Sequence, residues 1–554
     1  MKQVISLILM GATILAWGKE PRAKLRVPLD IPLTLSGNFG ELRSNHFHSG
    51  IDFKTQGRTG LPVYCADDGY VSRIVVSPWG FGRAVYVTHP ESGLVTVYGH
   101  LESFSKKIDT PVRERQYEKE SFSIDTTFGS DELPVKRGEI IGKSGNAGSS
   151  GGPHLHMDVR DAATEYALDP LEYYDYALQD NVAPEVRSVV LYPREGLVNG
   201  ASKPVTHTGE NKNASFTAWG RVVPGIKAYD KMTGTTNIYG VKYLTFICDG
   251  DTLYKRVIDH IDFNRTRAVN TLVEYGDVIG ANSWVMITEQ PESRPLADVV
   301  TTTGDGTLEI YEERDYPCQW ILEDHHGNRS RVKFTIKGVK GEIPVPEGDG
   351  TLYLFDSENV IAENDALVEM PANTLYSDAI IDVIASDAPA GGYVSRRFKV
   401  GDKRVPLAGN YKLTLPVDKD TIDNKSQYVI VRVDGKSPAA VSTSYINGMV
   451  KASVNRFGSY SVKTDSQAPK ITPVTPAKWA ANRKIVFKIS DNLSGISSYR
   501  GEIDGNWVMF EFDGKTGTLS YVLEPSRVQS GKKHTVTLVV TDECGNEATY
   551  KSTF

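Results

Sequence analysis

Cysteine is scarce, four residues in a chain of 554. No two are close enough to form the thiolate set of a structural zinc site. Basic charge is not in excess: 62 Lys and Arg stand against 69 Asp and Glu, for a net charge of −7. The composition therefore gives no reason to expect nucleic-acid binding. Beyond residues 4–17 no apolar run approaches the ~20 residues of a membrane span. With 40% hydrophobic and 24% charged residues, long disorder and a multi-span membrane protein are excluded. Turn residues are abundant, with 50 Gly and 28 Pro beside 27 Tyr. That pattern predicts short strands and turns, a mainly β chain, rather than a helical bundle. At ~150 residues per domain, the length predicts three or four domains.

Lys2 precedes the apolar run 4–17, and Ala16-Trp17-Gly18 places small residues around a cleavage point. This predicts a signal peptide over 1–18, an exported protein of the periplasm or cell envelope, and no membrane span after signal cleavage. An uncleaved N-terminal anchor is the alternative. No cysteine follows the run until Cys65, which speaks against a lipoprotein anchor. In an exported chain, Cys248 and Cys318 are the one pair expected to share a domain. A disulfide or two buried thiols are both open readings.

Residues 25–178 hold six of the eleven histidines, and β-patterned runs at 61–65, 70–76, 84–88 and 94–98 alternate with glycine turns. Asp109-Thr110-Pro111 predicts the start of one exposed helix, reaching about Glu120. The remainder carries a diverged repeat. Ala183-Pro184-Glu185-Val186 matches Ala468-Pro469-Lys470-Ile471, and Asp230-Lys231-Met232-Thr233-Gly234 matches Asp491-Asn492-Leu493-Ser494-Gly495. Asp324-His325-His326-Gly327-Asn328 matches Asp542-Glu543-Cys544-Gly545-Asn546. Each copy reads as an immunoglobulin-like β-sandwich. The longer spacing in the first copy predicts an insertion within 255–305. The expected divisions are 1–18, 19–182, 183–345 (sandwich with insertion), 346–465 (a further sandwich) and 466–554.

Chemistry concentrates in His48-Ser49-Gly50-Ile51-Asp52, Tyr98-Gly99-His100-Leu101 and Pro153-His154-Leu155-His156. A catalytic zinc needs about three nitrogen or oxygen ligands and an open position. His48, Asp52 and one of His154 and His156 supply that set. On a strand, His154 and His156 point into one cleft together. One can bind metal while the other stays free for proton transfer, beside His100 as a second free imidazole. His46 reads as a surface histidine, and His325-His326 as a solvated turn rather than a second metal site. The recurring aspartates of the repeated turns read as turn caps, with calcium binding as the alternative.

In order, neighbours and glycine contexts, residues 35–172 resemble the lysostaphin/LytM-type zinc metalloendopeptidases, which are bacterial peptidoglycan hydrolases. The matching stretches include His48–Asp52, Tyr98-Gly99-His100-Leu101, Ser144-Gly145-Asn146-Ala147-Gly148 and Gly152-Pro153-His154-Leu155-His156. The resemblance implies a duplicated hybrid motif, an antiparallel β peptidase domain followed here by β-sandwich (immunoglobulin-like) domains. It also implies one Zn2+ per chain on His48, Asp52 and His156, with His100 and His154 as catalytic residues. The stretch 105–134 is longer than in compact members, an insertion expected to roof the groove.

The expected function is an exported zinc endopeptidase acting on peptidoglycan peptide, with a cell-envelope protein as a further partner for the sandwiches. Two alternatives come from other classes: a non-catalytic regulator that activates a cell-wall amidase, and a surface binding or adhesion protein.

Overall fold

The runs of Val, Ile, Tyr and Thr between glycine turns become strands because β-branched and aromatic side chains pack well on a pleated, half-buried surface. The computed structural model describes residues 24–174, 176–209, 214–344, 350–441 and 443–554, and the expected signal segment 1–18 lies outside the described residues. The fold is mainly β, as the turn-rich composition predicts. In the N-terminal region, seven strands form the spine of one antiparallel sheet. They are β1 (Leu35–Gly37), β2 (Ile51–Lys54), β3 (Gly69–Val76), β4 (Arg83–His89), β5 (Leu94–Gly99), β6 (Ile124–Thr127) and β7 (His154–Asp161), in the order β1-β2-β7-β5-β4-β3-β6. A three-stranded sheet of Pro62–Tyr64, Ile140–Lys143 and Ser103–Phe104 completes this region.

The register carries the function. Because β7 lies between β2 and β5, His156 sits opposite Asp52 on one side and Gly99 on the other. Three stretches distant in sequence are thereby set side by side. Gly50, just before β2, must stay small, since a Cβ there would lie 2.2 Å from the Met157 carbonyl oxygen.

The helix predicted to open at Asp109 begins three residues earlier, as α1 (Lys106–Glu118) after the cap residue Ser105, with Pro111 inside it. The preceding strand Ser103–Phe104 sets that start. Ile108, Val112 and Gln116 are buried, so α1 is only partly a solvated face. The 105–134 stretch contributes Phe122 to the lining of a cleft beside Asn146–Gly148. Its segment Ile124–Thr127 extends the sheet edge against β3, and α1 carries the last sandwich.

Residues 185–338 form one ten-stranded sheet, residues 359–464 contain two five-stranded sheets, and residues 470–553 form two four-stranded sheets. The repeat is visible in the pairings. Tyr243–Cys248 pairs with Asp315–Glu323 as Ile496–Ile503 pairs with Thr535–Asp542. The copies differ because Ser215–Ala218 pairs parallel with Thr335–Gly338 in the first copy, joining into one sheet what the second keeps as two.

One apolar core runs without a break from Leu25 to Ile336. Within 255–305, His260–Ile261 pairs with Ala167–Leu168 and so extends the N-terminal sheet. The last sandwich adds Met509 to this core, sets Trp507 against Tyr117, and docks through charge as well: Arg113–Glu524 at 2.7 Å, Arg83–Glu511 at 2.7 Å and Arg500–Glu120 at 2.6 Å. Cys248 and Cys318 are opposite one another in adjacent strands, and both are free thiols, with Sγ atoms 3.2 Å apart. Among the described residues, no helix is long and apolar enough to cross a membrane.

Candidate metal centre

Strand β2 presents Asp52, the turn before it presents His48, and β7 presents His156. His48 Nε2 lies 3.1 Å from Asp52 Oδ1 and 3.1 Å from His156 Nδ1, and His156 Nδ1 lies 2.9 Å from Asp52 Oδ1. All three residues are buried.

The other nitrogen of each ring decides what these contacts are. His48 Nδ1 is 2.7 Å from the Asn38 carbonyl oxygen, which can only accept, so the proton is on Nδ1 and Nε2 offers a lone pair. His156 Nε2 donates to Asp158 Oδ1 at 2.7 Å, leaving a lone pair on Nδ1. Two imidazole lone pairs and a carboxylate oxygen thus converge on one point from which water is largely excluded. Such a set repels itself unless a cation stands among it. Without an ion a proton on His156 Nδ1 takes that place: burial pushes the ring down, but Asp158 and Asp52 outweigh it and hold it up at about 9, and a bound cation would displace that proton. Burial likewise opposes ionisation of Asp52, yet the surrounding histidines keep it well below the usual carboxylate range. Two nitrogens and one carboxylate oxygen, with outer hydrogen bonds fixing both tautomers, match the donor chemistry of a catalytic zinc. His48, Asp52 and His156 would hold that ion.

His100 and His154 stand beside this set, their ring centroids 4.7 Å apart. His100 follows β5 in a left-handed conformation, φ 60°, an uncommon setting for a residue with a side chain. Its Nδ1 donates to the Ala147 carbonyl at 2.8 Å, so Nε2 faces outward as an acceptor. Burial, reinforced by repulsion from His156 and His154, lowers His100 to about 3. His154 Nδ1 donates to the Gly152 carbonyl at 2.8 Å and lies 3.1 Å from Ser150 Oγ. Its Nε2 lies 3.4 Å from Asp52 Oδ1. The loop 146–152 therefore orients both free imidazoles.

Several supporting residues were not singled out by the sequence patterns. Asp158 shares the face of β7 with His154 and His156 by the two-residue strand period, which was the available signal. It is fully buried, and both its oxygens are engaged by His156, Ser49 and Arg160. Asn38 is held by a reciprocal pair with Gly240, Nδ2 to O and N to Oδ1, both 2.9 Å. Lys515, from the last sandwich, donates to the carbonyls of Asn146 (2.5 Å) and Ser150 (3.1 Å). No local pattern announces contacts that join residues more than 200 positions apart. A cleft lined by Arg83, Glu102, Phe122, Lys484, Glu511 and Asp513 borders the same loop but includes none of the five histidine and aspartate residues.

His46 is exposed and bonded to Ser44, away from the set. His325 and His326 do not form a solvated turn. Lys242 Nζ lies 3.0 Å from His325 Nδ1, and His326 donates to the Leu178 carbonyl at 2.7 Å. The first repeat copy uses this turn to pack on the N-terminal region, whereas the turn predicted from sequence had no partner.

Residues 46–117 match the model of peptidase family M23. Residues 351–465 match a Zu5-like domain. The DD-carboxypeptidase/endopeptidase Mpg of Neisseria meningitidis is 31% identical over 119 residues, 22% of this chain and 21% of that protein. The peptidoglycan DD-endopeptidase ShyA of Vibrio cholerae is 30% identical over 144 residues, 25% of this chain and 27% of that one. The chain thus spans about a quarter or less of the length of these curated relatives. A zinc-containing peptidase from Vibrio cholerae is similar in structure, at 28% identity over 25% of this chain and 37% of its own, with a TM-score of 0.19.

Proposed function

We propose that this protein is an exported zinc metalloendopeptidase that hydrolyses peptide bonds in the cross-links or stem peptides of bacterial peptidoglycan, with one zinc per chain on His48, Asp52 and His156. The observation that carries the reading is the buried convergence of His48 Nε2, Asp52 Oδ1 and His156 Nδ1, with both ring protons turned outward to Asn38 and Asp158. A zinc ion held there supplies Lewis acidity that polarises a carbonyl and lowers the pKa of water.

The chain's own groups supply the proton handling. His100 and His154 each spend Nδ1–H on a backbone carbonyl, so each presents Nε2 to the groove as a proton acceptor. One of the two takes a proton as the scissile carbonyl is attacked, and a histidine so charged returns it to the leaving amine. The ring of Phe81, stacked on His156 at 4.7 Å, keeps water off one side.

The names of the two curated relatives support a D-amino-acid cross-link as the substrate. The test is metal analysis of the purified chain together with digestion of cross-linked peptides by wild type and His154→Ala. About one zinc per chain, with turnover lost in the variant, is expected. A variant that keeps its effect on cell-wall lysis through an added amidase would instead identify an activator.

A further inference from the structure

The two repeat copies gather acidic side chains at corresponding positions. In the first, Asp180 and Asp324 converge with His326, their ligand atoms within 4.8 Å of one another; in the second, Asp465, Asp491 and Asp542 do the same. Asp230, the counterpart of Asp491, stands outside the set of atoms that converge in the first copy but lines a small cavity with Asp180 and His326.

The correspondence extends to individual hydrogen bonds. Asn328 donates from N and Nδ2 to the two oxygens of Asp324, at 2.9 and 2.7 Å, and Asn546 does so to Asp542 at 2.8 and 2.8 Å. Each asparagine also reaches the main-chain carbonyl of the first aspartate, Asp180 at 3.3 Å and Asp465 at 3.0 Å. Thr233 N donates to Asp180 Oδ1 at 2.8 Å, as Ser494 N does to Asp465 Oδ2 at 2.9 Å.

These bonds hold the carboxylates in place and leave specific oxygens over. Asp230 is 5% exposed, and its Oδ1 has no hydrogen-bond partner. Asp180 Oδ2 and Asp491 Oδ1 are likewise buried and unpartnered. Buried carboxylates this close are costly unless a positive charge compensates them. Lys242 lines the first cavity but is committed to Asp169 and Glu172. In keeping with this, burial and then Asp324 and Asp180 push Asp230 up to about 8.

We propose that each repeat copy binds one calcium ion, through Asp180, Asp230 and Asp324 in the first copy and Asp465, Asp491 and Asp542 in the second. The shared ligands decide the metal. Position 326 is His in one copy and its counterpart, Cys544, is a thiol in the other, whereas the three carboxylates recur. An all-oxygen set suits a hard cation that takes 6–8 oxygens. Both sites lie where the chain enters a copy. Asp180 precedes the first copy beside Leu178, which accepts from His326. Asp465 is the last residue of the Zu5-like match, within which Ser426 and Gln427 contact Cys544 and Asn546. Calcium therefore ties each copy to the domain before it.

Calorimetric titration of the zinc-loaded full chain with calcium chloride tests this. Two calcium ions per chain are expected, one each in Asp230→Asn and Asp491→Asn, and none in the double variant. Thermal unfolding adds a second readout. Wild-type Tm should rise with calcium, while the double variant should show a calcium-free Tm at or above that of wild type and no response. A wild-type chain that binds fewer than two calcium ions overturns the proposal. So does a stoichiometry unchanged by the two variants, or sites that take zinc but not calcium.

Discussion

Asp158 fixes His156 from two positions along the same strand, accepting the Nε2 proton at 2.7 Å while Arg160 and Ser49 hold the carboxylate. Outer partners of metal-ligating histidines set tautomer and basicity, and losing one costs about 10- to 100-fold in metal affinity. Asp158→Asn is therefore expected to weaken zinc by that factor, read by competition with a chromogenic chelator. Unchanged affinity would show that His156 needs no such support.

Asn38 plays the matching part for His48, but its own position is set by Gly240, in the first repeat copy. Asn38→Leu removes both amide bonds and leaves the carbonyl that receives His48 Nδ1. A fall in zinc affinity of roughly 10-fold is expected, at the low end for an outer partner because the carbonyl remains. An unaltered zinc affinity would mean that the repeat copy does not reach the site.

Lys515 bridges the carbonyls of Asn146 and Ser150, on the loop that supplies Ala147 O to His100 and Ser150 Oγ to His154. The bond is exposed, so its loss is worth little more than an ordinary hydrogen bond, about 0.5–1.5 kcal/mol. Lys515→Met should lower kcat roughly 3- to 10-fold with zinc content unchanged. Loss of zinc in this variant would contradict a role confined to the loop.

The buried pair Lys242–Asp169, 2.6 Å apart, joins the N-terminal region to the first repeat copy. Burial opposes ionisation of Asp169, but Lys242 and His325 hold its carboxyl well below the ordinary range. A carboxyl lowered on folding contributes stability that is present above its unfolded pKa, about 3.9, and lost as pH falls below it. Lys242→Met should cost about 3–5 kcal/mol at pH 7, and urea midpoints should show that gap narrowing below pH 4. A gap of equal size at pH 7 and pH 3 would show that the pair carries no linkage.

The β-rich character was legible because it is local, and so were the three short motifs that carry the five candidate residues. Strands announce themselves by β-branched runs between glycines, and each histidine motif fits within five residues. The sheet register that brings His48, Asp52 and His156 together was legible only through the family resemblance. Asp158 could have been found from the i, i+2 period of β7. Asn38, Lys515 and Lys242 could not, since each acts across more than 70 positions and looks like an ordinary polar residue in its own segment. The start of α1 was misplaced because Asp109-Thr110-Pro111 imitates a helix opening, while the preceding strand had already delivered Ser105 to the cap position.

Mass analysis of purified sacculi digested with the zinc-loaded protein tests the proposed activity most directly. New muropeptides, cut at a peptide bond of the cross-link or stem, are expected from wild type and absent with His154→Ala. Protein that carries about one zinc per chain yet leaves sacculi and cross-linked peptides intact would contradict the assignment of His100 and His154 to peptide hydrolysis.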